Sequence, residues 1–151
     1  MRGLLFFRFV NVFTFSGQVE NMAKILIIDD DPDFTLATKA ILTAAGHQVV
    51  AAPSGKVGLD MVKDEEPDLI ILDIMMDSIF EGFSVTTTLR GTPEYMDYRQ
   101  IPVLMCSGVK KMTGERFHMP KEADLAKGDD YLDKPFTAEQ LLGKVNKLLG
   151  K

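Results

Sequence analysis

Acidic side chains follow two short apolar runs of the sequence. Asp29 to Asp31 come directly after the run at residues 25–28, and Asp73 follows the run at residues 69–72. A buried strand that ends in an acidic residue delivers it to the carboxyl edge of a sheet, where ligands bind in open α/β folds. Carboxylates held close together repel one another and resist ionisation unless a cation neutralises them. The pattern therefore favours a site for a hard divalent cation, with oxygen ligands suited to Mg²⁺.

Two further polar side chains are expected at the same edge. Ser107 follows the apolar run at residues 103–106, and Lys134 follows the short run at residues 131–133. A carboxylate cluster, a hydroxyl and an ammonium around one point are the parts that phosphoryl transfer needs. An aspartate can itself be the nucleophile and form an acyl phosphate.

Asp73 is the best candidate for that nucleophile, because it alone ends the central apolar strand. Asp29 and Asp30 are placed to hold the metal. Asp31 stands before Pro32, a residue suited to the first position of a helix, so we interpret Asp31 as a helix cap rather than a metal ligand.

The composition is that of one soluble globular domain. The chain has 151 residues, of which 46% are apolar and 26% charged, which allows a sizeable core. A net charge of −5 argues against broad electrostatic binding to nucleic acid. The single cysteine, Cys106, permits no internal disulfide, fits a reducing cytoplasm and is interpreted as core packing.

Apolar runs alternate with helical patterns from residue 24 onward, which predicts βα units around a parallel sheet. A loop is expected at 77–81, and Val57 is expected on the buried side of the second helix. The predicted fold is a doubly wound α/β domain with five strands and five helices. The strands are placed at 25–28, 48–52, 68–73, 101–106 and 131–133, and the helices at 32–45, 54–64, 82–90, within 113–127, and from 137.

The first 22 residues are treated separately. They begin like a signal peptide, but Arg8 and Asn11 interrupt the apolar stretch, which is too short to span a bilayer. We predict an extension outside the fold at 1–22 and one domain at 23–151. An interaction or membrane-surface segment and a secretion signal remain open for the extension, and no second domain is expected after the last helix.

Four motifs carry a resemblance to a known family. They are Ile28-Asp29-Asp30-Asp31-Pro32, Leu72-Asp73-Ile74-Met75-Met76, Cys106-Ser107-Gly108 and Tyr131-Leu132-Asp133-Lys134-Pro135-Phe136. In this order they resemble the response-regulator receiver domains of two-component signalling. The resemblance covers the chain from about residue 23 to its end, and it implies a flavodoxin-like sheet with strand order 2-1-3-4-5.

The resemblance implies a metal site and a phosphoacceptor. Asp73 would take a phosphoryl group from a histidine kinase or a histidine phosphotransfer protein. Asp30 and Asp73 would ligate Mg²⁺ directly, Asp29 would act largely through water, and the backbone carbonyl of Met75 would supply a further ligand.

The resemblance also implies a switch. Ser107 would donate a hydrogen bond to a phosphate oxygen, and Lys134 would pair with the acidic cluster or the phosphate. Tyr131 would swing inward as Ser107 is drawn to the phosphate, so that an inactive surface gives way to an active one. The peptide bond before Pro135 would be cis.

The chain departs from the family pattern near the site. Asp77 stands where the family usually has proline, and the segment that follows it, up to Gly82, is one residue longer. The segments at 91–100 and 110–127 also look longer than usual. In the family that the chain resembles, the positions of Met75 and Val109 influence how water reaches the acyl phosphate. Both residues are apolar here and cannot orient an attacking water, so the resemblance implies slow self-dephosphorylation.

The leading interpretation is a stand-alone cytoplasmic receiver that signals through an unknown downstream protein, with no DNA binding and no membrane span. It is a phosphoacceptor rather than an enzyme with an external substrate, because Met75 occupies the place of the second aspartate that aspartyl phosphatases use. A nucleotide- or flavin-binding protein would need a Gly-rich or Ser/Thr-rich phosphate loop after the first strand. This chain has Asp29 to Asp31 there, whose negative charge disfavours that alternative. A degenerate receiver that acts as a phosphorylation-independent scaffold is the remaining alternative.

Overall fold

The structure is a computed structural model that describes residues 22–108 and 127–151. Its five strands form one parallel sheet in the order β2-β1-β3-β4-β5, which confirms the predicted doubly wound fold. The helices are numbered in chain order over the described residues, and the helix predicted within 113–127 falls almost wholly outside them. The bounds are β1 Lys24–Ile28, α1 Pro32–Ala44, β2 Gln48–Ala52, α2 Gly55–Glu65, β3 Leu69–Asp73, α3 Ile79–Gly91, a 3₁₀ helix Pro93–Tyr98, β4 Val103–Ser107, β5 Asp130–Asp133 and α4 Ala138–Leu148.

Both faces of the sheet are covered, as a parallel sheet requires. Successive side chains of a strand point to opposite faces, so β1 and β3 contribute to two separate apolar cores. On one face Leu26 and Leu72 pack with residues of α2 and α3. On the other, Ile27 and Ile71 pack with residues of α1 and α4. Strands β1 and β3 are therefore packed on both faces, and the residues that follow their carboxyl ends are held by this packing.

Two local predictions are wrong. A loop was predicted at 77–81, but α3 begins at Ile79, with Ser78 as its N-cap residue and Glu81 in its first turn, a composition that favours a helix start. Val57 was predicted to face inward, but it is 41% exposed. Gly58 faces the sheet instead, where a Cβ would lie 2.4 Å from Cδ1 of Ile28. Because Gly58 lets α2 lie close against β1, the side of the helix that contains Gly58 is buried, and Val57 lies on the exposed side.

The long segment predicted at 91–100 contains the 3₁₀ helix, which was not predicted. Tyr95 in this helix is only 5% exposed and joins the core beside α2 and α3. Lys63 of α2 lies 4.7 Å from the centre of the Tyr95 ring and pairs with Glu94. The additional residues thus extend the core at the end of α3.

Candidate functional site

The predicted acidic cluster is present at the carboxyl edge of the sheet. Asp29 directly follows β1 and Asp73 ends β3, and the two strands are neighbours with Ile28 paired to Leu72. One ligand oxygen from each of Asp29, Asp30 and Asp73 lies within 4.8 Å of the others. Three carboxylate oxygens this close are a donor set that fits Mg²⁺.

The members of this cluster differ in burial. Asp29 is 4% exposed and Asp73 is 6% exposed, whereas Asp30 faces solvent. An isolated buried carboxylate is strongly disfavoured unless a charge or hydrogen bonds compensate it. The site therefore combines two buried carboxylates with one exposed carboxylate.

Backbone N–H groups orient the two buried carboxylates. The N–H of Asp31 donates to Oδ1 of Asp29 at 2.9 Å, and the N–H of Met75 donates to Oδ1 of Asp73 at 3.0 Å. The carboxylate of Asp31 turns away to accept the N–H groups of Asp33 and Phe34 at the start of α1. Asp31 is thus the predicted helix cap.

Lys134 brings a positive charge to the buried pair. Its Nζ lies 2.8 Å from Oδ2 of Asp29 and 3.5 Å from Oδ2 of Asp73. The Lys134–Pro135 peptide is cis, as predicted, and the N–H of Lys134 donates to the carbonyl of Ser107 at 2.8 Å. The ammonium therefore stands between the two carboxylates at the end of β5.

Burial and these contacts shift the pKa values of Asp73 and Lys134. Burial raises the pKa of Asp73 from 3.8 to about 6, against the lowering effects of the Lys134 ammonium and the Met75 N–H, while the Asp29 charge raises it further. Burial alone would lower the pKa of Lys134, but the hydrogen bond to Asp29 and the charge of Asp73 raise it above its ordinary value. At neutral pH Asp73 is thus mainly a carboxylate, as a nucleophile must be.

The remaining residues of interest lie on the neighbouring strands β4 and β5 or beyond them. Ser107 ends β4, one position beyond Cys106, which is paired with Asp73. The Tyr131 ring points outward, with the side chain 44% exposed and its hydroxyl oxygen accepting the N–H of Gly128 at 3.1 Å. Cys106 is fully buried and burial raises the pKa of its thiol to about 12, which confirms its packing role. Val109 lies outside the described residues.

Two residues that support the site were not predicted to do so. Gly82 lies directly behind Asp73, since a Cβ on Gly82 would be 2.6 Å from the backbone oxygen of Asp73 and 2.7 Å from Cα of Ile74. Glu81 accepts the N–H of Gly55 at 2.9 Å and so ties α3 to the start of α2. The sequence shows an acidic residue followed by glycine, but only the structure shows what they contact.

Replacing Gly82 with alanine is expected to destabilise the protein by about 1–3 kcal/mol, because the added methyl meets backbone atoms that cannot rotate away. Urea unfolding measures this change. The matched control is Gly143→Ala in α4, where nothing lies within 4 Å of the added methyl. The control should gain about 0.5–1 kcal/mol from helix propensity. Equal effects of the two substitutions would contradict the close packing behind Asp73.

The fold and the site together define a class of protein. Its members are doubly wound domains that carry a buried pair of carboxylates, an exposed carboxylate and a lysine at the carboxyl edge of the sheet. A family model described as the response regulator receiver domain matches residues 25–146. The chain belongs to the response regulator receiver family.

Individual relatives agree with this membership. The chain is 37% identical over 128 residues to the DNA-binding dual master transcriptional regulator RpaA of Synechocystis sp.. The aligned residues cover 85% of this chain and 49% of RpaA. It is 34% identical to protein PilH of Pseudomonas aeruginosa over 85% of this chain and 98% of PilH. The chain thus spans about half the length of some relatives and nearly all of another.

A solved structure gives the same fold. The chemotaxis protein CheY4 of Vibrio cholerae superposes with a TM-score of 0.66 and 26% identity, covering 84% of this chain and 98% of that one. Across residues 22–108 and 127–151, none of the helices is both long and apolar enough to cross a bilayer.

Proposed function

We propose that this chain accepts one phosphoryl group on Asp73, from a histidine kinase or a histidine phosphotransfer protein, in a Mg²⁺-dependent reaction. The observation that carries the proposal is the buried Asp73 carboxylate, held beside Asp29 and Asp30 with the Lys134 ammonium 3.5 Å away. Membership of the receiver family supports the same role.

The transfer would be a displacement at phosphorus. A carboxylate oxygen of Asp73 forms a bond to phosphorus as the bond from phosphorus to the imidazole nitrogen breaks. The nitrogen keeps the electron pair and takes a proton from solvent, so that the leaving group is neutral imidazole. The lysine charge and the Ser107 hydroxyl offset the charge on the phosphoryl oxygens. Because Lys134 already lies between the two carboxylates, its charge is in place before the phosphoryl group arrives.

Asp30 and Asp73 would hold the magnesium ion directly, with Asp29 acting through water and the Met75 backbone carbonyl completing the protein ligands. When bound, the ion neutralises negative charge on the phosphoryl group and on the acidic cluster. The donor set of hard oxygens supports this choice of metal.

We propose that phosphorylation changes a partner-binding surface. The outward Tyr131 ring of this structure represents the inactive arrangement. In the phosphorylated protein Ser107 is drawn to the phosphate and Tyr131 turns inward, which shifts the population toward the active surface.

The output is proposed to be a protein partner in the cytoplasm rather than DNA. The match to PilH over nearly its whole length supports a stand-alone receiver, whereas the half-length match to RpaA supports the rival, a receiver joined to an output domain. The net charge of −5 disfavours direct DNA binding by the residues of this chain. Residues 1–22 are proposed to lie outside the receiver.

The experiment that tests this function is incubation with acetyl phosphate, with and without Mg²⁺, followed by treatment with hydroxylamine. An adduct that forms only with Mg²⁺ and is removed by hydroxylamine is expected, because an acyl phosphate is open to that nucleophile. A folded, Mg²⁺-binding protein that never forms the adduct would instead favour the scaffold alternative.

Replacing Met75 with asparagine is expected to speed hydrolysis of the aspartyl phosphate by roughly 3- to 10-fold. The asparagine amide can form a hydrogen bond with the attacking water, and one such bond lowers the barrier enough to give this change in rate. The decay of the purified phosphoprotein gives the rate. Met75→Leu is the matched control and should decay like the wild type, since it is apolar and of similar size. An unchanged rate in Met75→Asn would show that this position does not limit access of water.

A further inference from the structure

Lys134 has a third contact besides its two carboxylates. Its Nζ lies 3.6 Å from the centre of the Phe34 ring. The Phe34 ring in turn packs edge to face against Phe136, with the ring centres 5.6 Å apart. Phe34 belongs to the first turn of α1, and it was not predicted to be part of the site.

The three contacts match the three donors of a lysine ammonium. One N–H has Asp29 as its acceptor at 2.8 Å, a second faces Asp73 at 3.5 Å, and the aromatic face takes the remaining side. A cation over an aromatic face is held by about 0.5–2 kcal/mol, with the higher values at desolvated sites. Here the lysine side chain is 21% exposed, which places the contact toward the protected end of that range.

The position of the ring also decides what reaches the ammonium. A groove of about 390 Å³ runs along α1, and Phe34, Ile41, Lys134 and Phe136 are among its lining residues. The ring covers one side of the ammonium, where water from this groove would otherwise reach it. A side chain without an aromatic face would leave the third N–H open to that water and would let the lysine swing out along the groove.

We infer that Phe34 is a positioning residue for Lys134. The ring holds the ammonium between Asp29 and Asp73, so that the charge is in place when a phosphoryl group arrives. This inference rests on the proposed phosphoacceptor function for its catalytic part, but the placement of the lysine is independent of it.

The first test measures the placement itself. The Mg²⁺-free wild type, Phe34→Leu and Phe34→Tyr are treated with an acetylating reagent at limiting concentration, and modification of Lys134 is compared with that of Lys24 by peptide mass spectrometry. Lys24 is ion-paired with Glu65 and serves as the internal reference. Acetylation of Lys134 should be about 3- to 10-fold faster in Phe34→Leu and unchanged in Phe34→Tyr, which keeps the ring.

Two more variants make the test specific. Ile41→Val alters the same groove away from the ammonium and should leave the Lys134 rate at the wild-type value. Phe34→Met, which also lacks an aromatic face, is measured alongside Phe34→Leu so that the outcome does not depend on one variant folding. Wild-type protection of Lys134 in both ring-free variants would overturn the inference.

The second test measures the consequence for chemistry. At saturating Mg²⁺, phosphoryl uptake from acetyl phosphate should be about 3- to 10-fold slower in Phe34→Leu and should be restored in Phe34→Tyr. Uptake at the wild-type rate in Phe34→Leu would overturn the catalytic part. No uptake by the wild type would refute the proposed function, whereas the acetylation result would still decide whether Phe34 places Lys134.

Discussion

Replacing Asp73 with asparagine is expected to make the Mg²⁺-free protein more stable at pH 8, by on the order of 2–3 kcal/mol. Burial raises the pKa of this carboxyl from 3.8 to about 6, so ionised Asp73 is less favourable in the folded protein than in the unfolded chain. The neutral amide avoids that cost and keeps nearly the same shape. The ionised side chain of Asp73, the proposed phosphoacceptor, thus lowers the stability of the Mg²⁺-free fold.

The sign of the pH dependence follows from the raised pKa. The contribution of Asp73 to stability is fully present below the unfolded value near 4 and is lost as pH rises through about 6. The gain of Asp73→Asn should therefore be small at pH 4, grow between pH 4 and 6, and level off above it. Urea unfolding in the presence of a chelator gives these values.

The control for this prediction is Asp60→Asn, an exposed carboxylate on α2. It should change the free energy of unfolding by less than about 0.5 kcal/mol at every pH. If Asp73→Asn were less stable than the wild type at pH 8, the Asp73 carboxylate would not be a destabilised buried charge.

Replacing Lys134 with methionine is expected to have the opposite effect, a loss on the order of 3 kcal/mol at neutral pH without Mg²⁺. The Asp29 side chain is 1% exposed and would lose the cation that compensates it at 2.8 Å. Under the proposed function added Mg²⁺ should recover much of the loss, because the ion would neutralise the same carboxylates, which come together only in the folded protein. Thermal unfolding over a Mg²⁺ titration measures both quantities.

Lys147→Met is the matched control for the lysine variant. Its side chain is 71% exposed and pairs with Asp130 away from the acidic cluster. It should cost less than about 1 kcal/mol and show only the Mg²⁺ response of the wild type. A Lys134→Met protein that is as stable as wild type, or that Mg²⁺ does not help, would show that the ammonium is not what compensates Asp29.

The sequence was sufficient to predict the sheet and the charged centre for a physical reason. Runs of buried residues mark β1 and β3, and the residue that follows each run must lie at the carboxyl edge. The positions of Asp29 and Asp73 in the fold therefore follow from the ends of β1 and β3, which the apolar runs already locate in the sequence. The Asp31 cap was equally predictable, because a capping carboxylate acts on N–H groups two and three residues away.

Contacts between distant segments could not be predicted in this way. Gly58 sets how α2 packs on Ile28, and Phe34 meets Lys134 across about a hundred residues of chain. A glycine or a phenylalanine in a helix carries no sequence signal for such a partner. The start of α3 was missed because the residues after Asp77 were assigned to a loop, whereas Ser78 and Glu81 favour a helix there.

The most direct test of the account is the intact mass of the protein after incubation with acetyl phosphate and Mg²⁺, with the wild type compared to Asp73→Asn. We predict that the wild type gains the mass of one phosphoryl group and that Asp73→Asn, folded and equally treated, gains none. The same adduct on both proteins would place the acceptor elsewhere and contradict the role of Asp73.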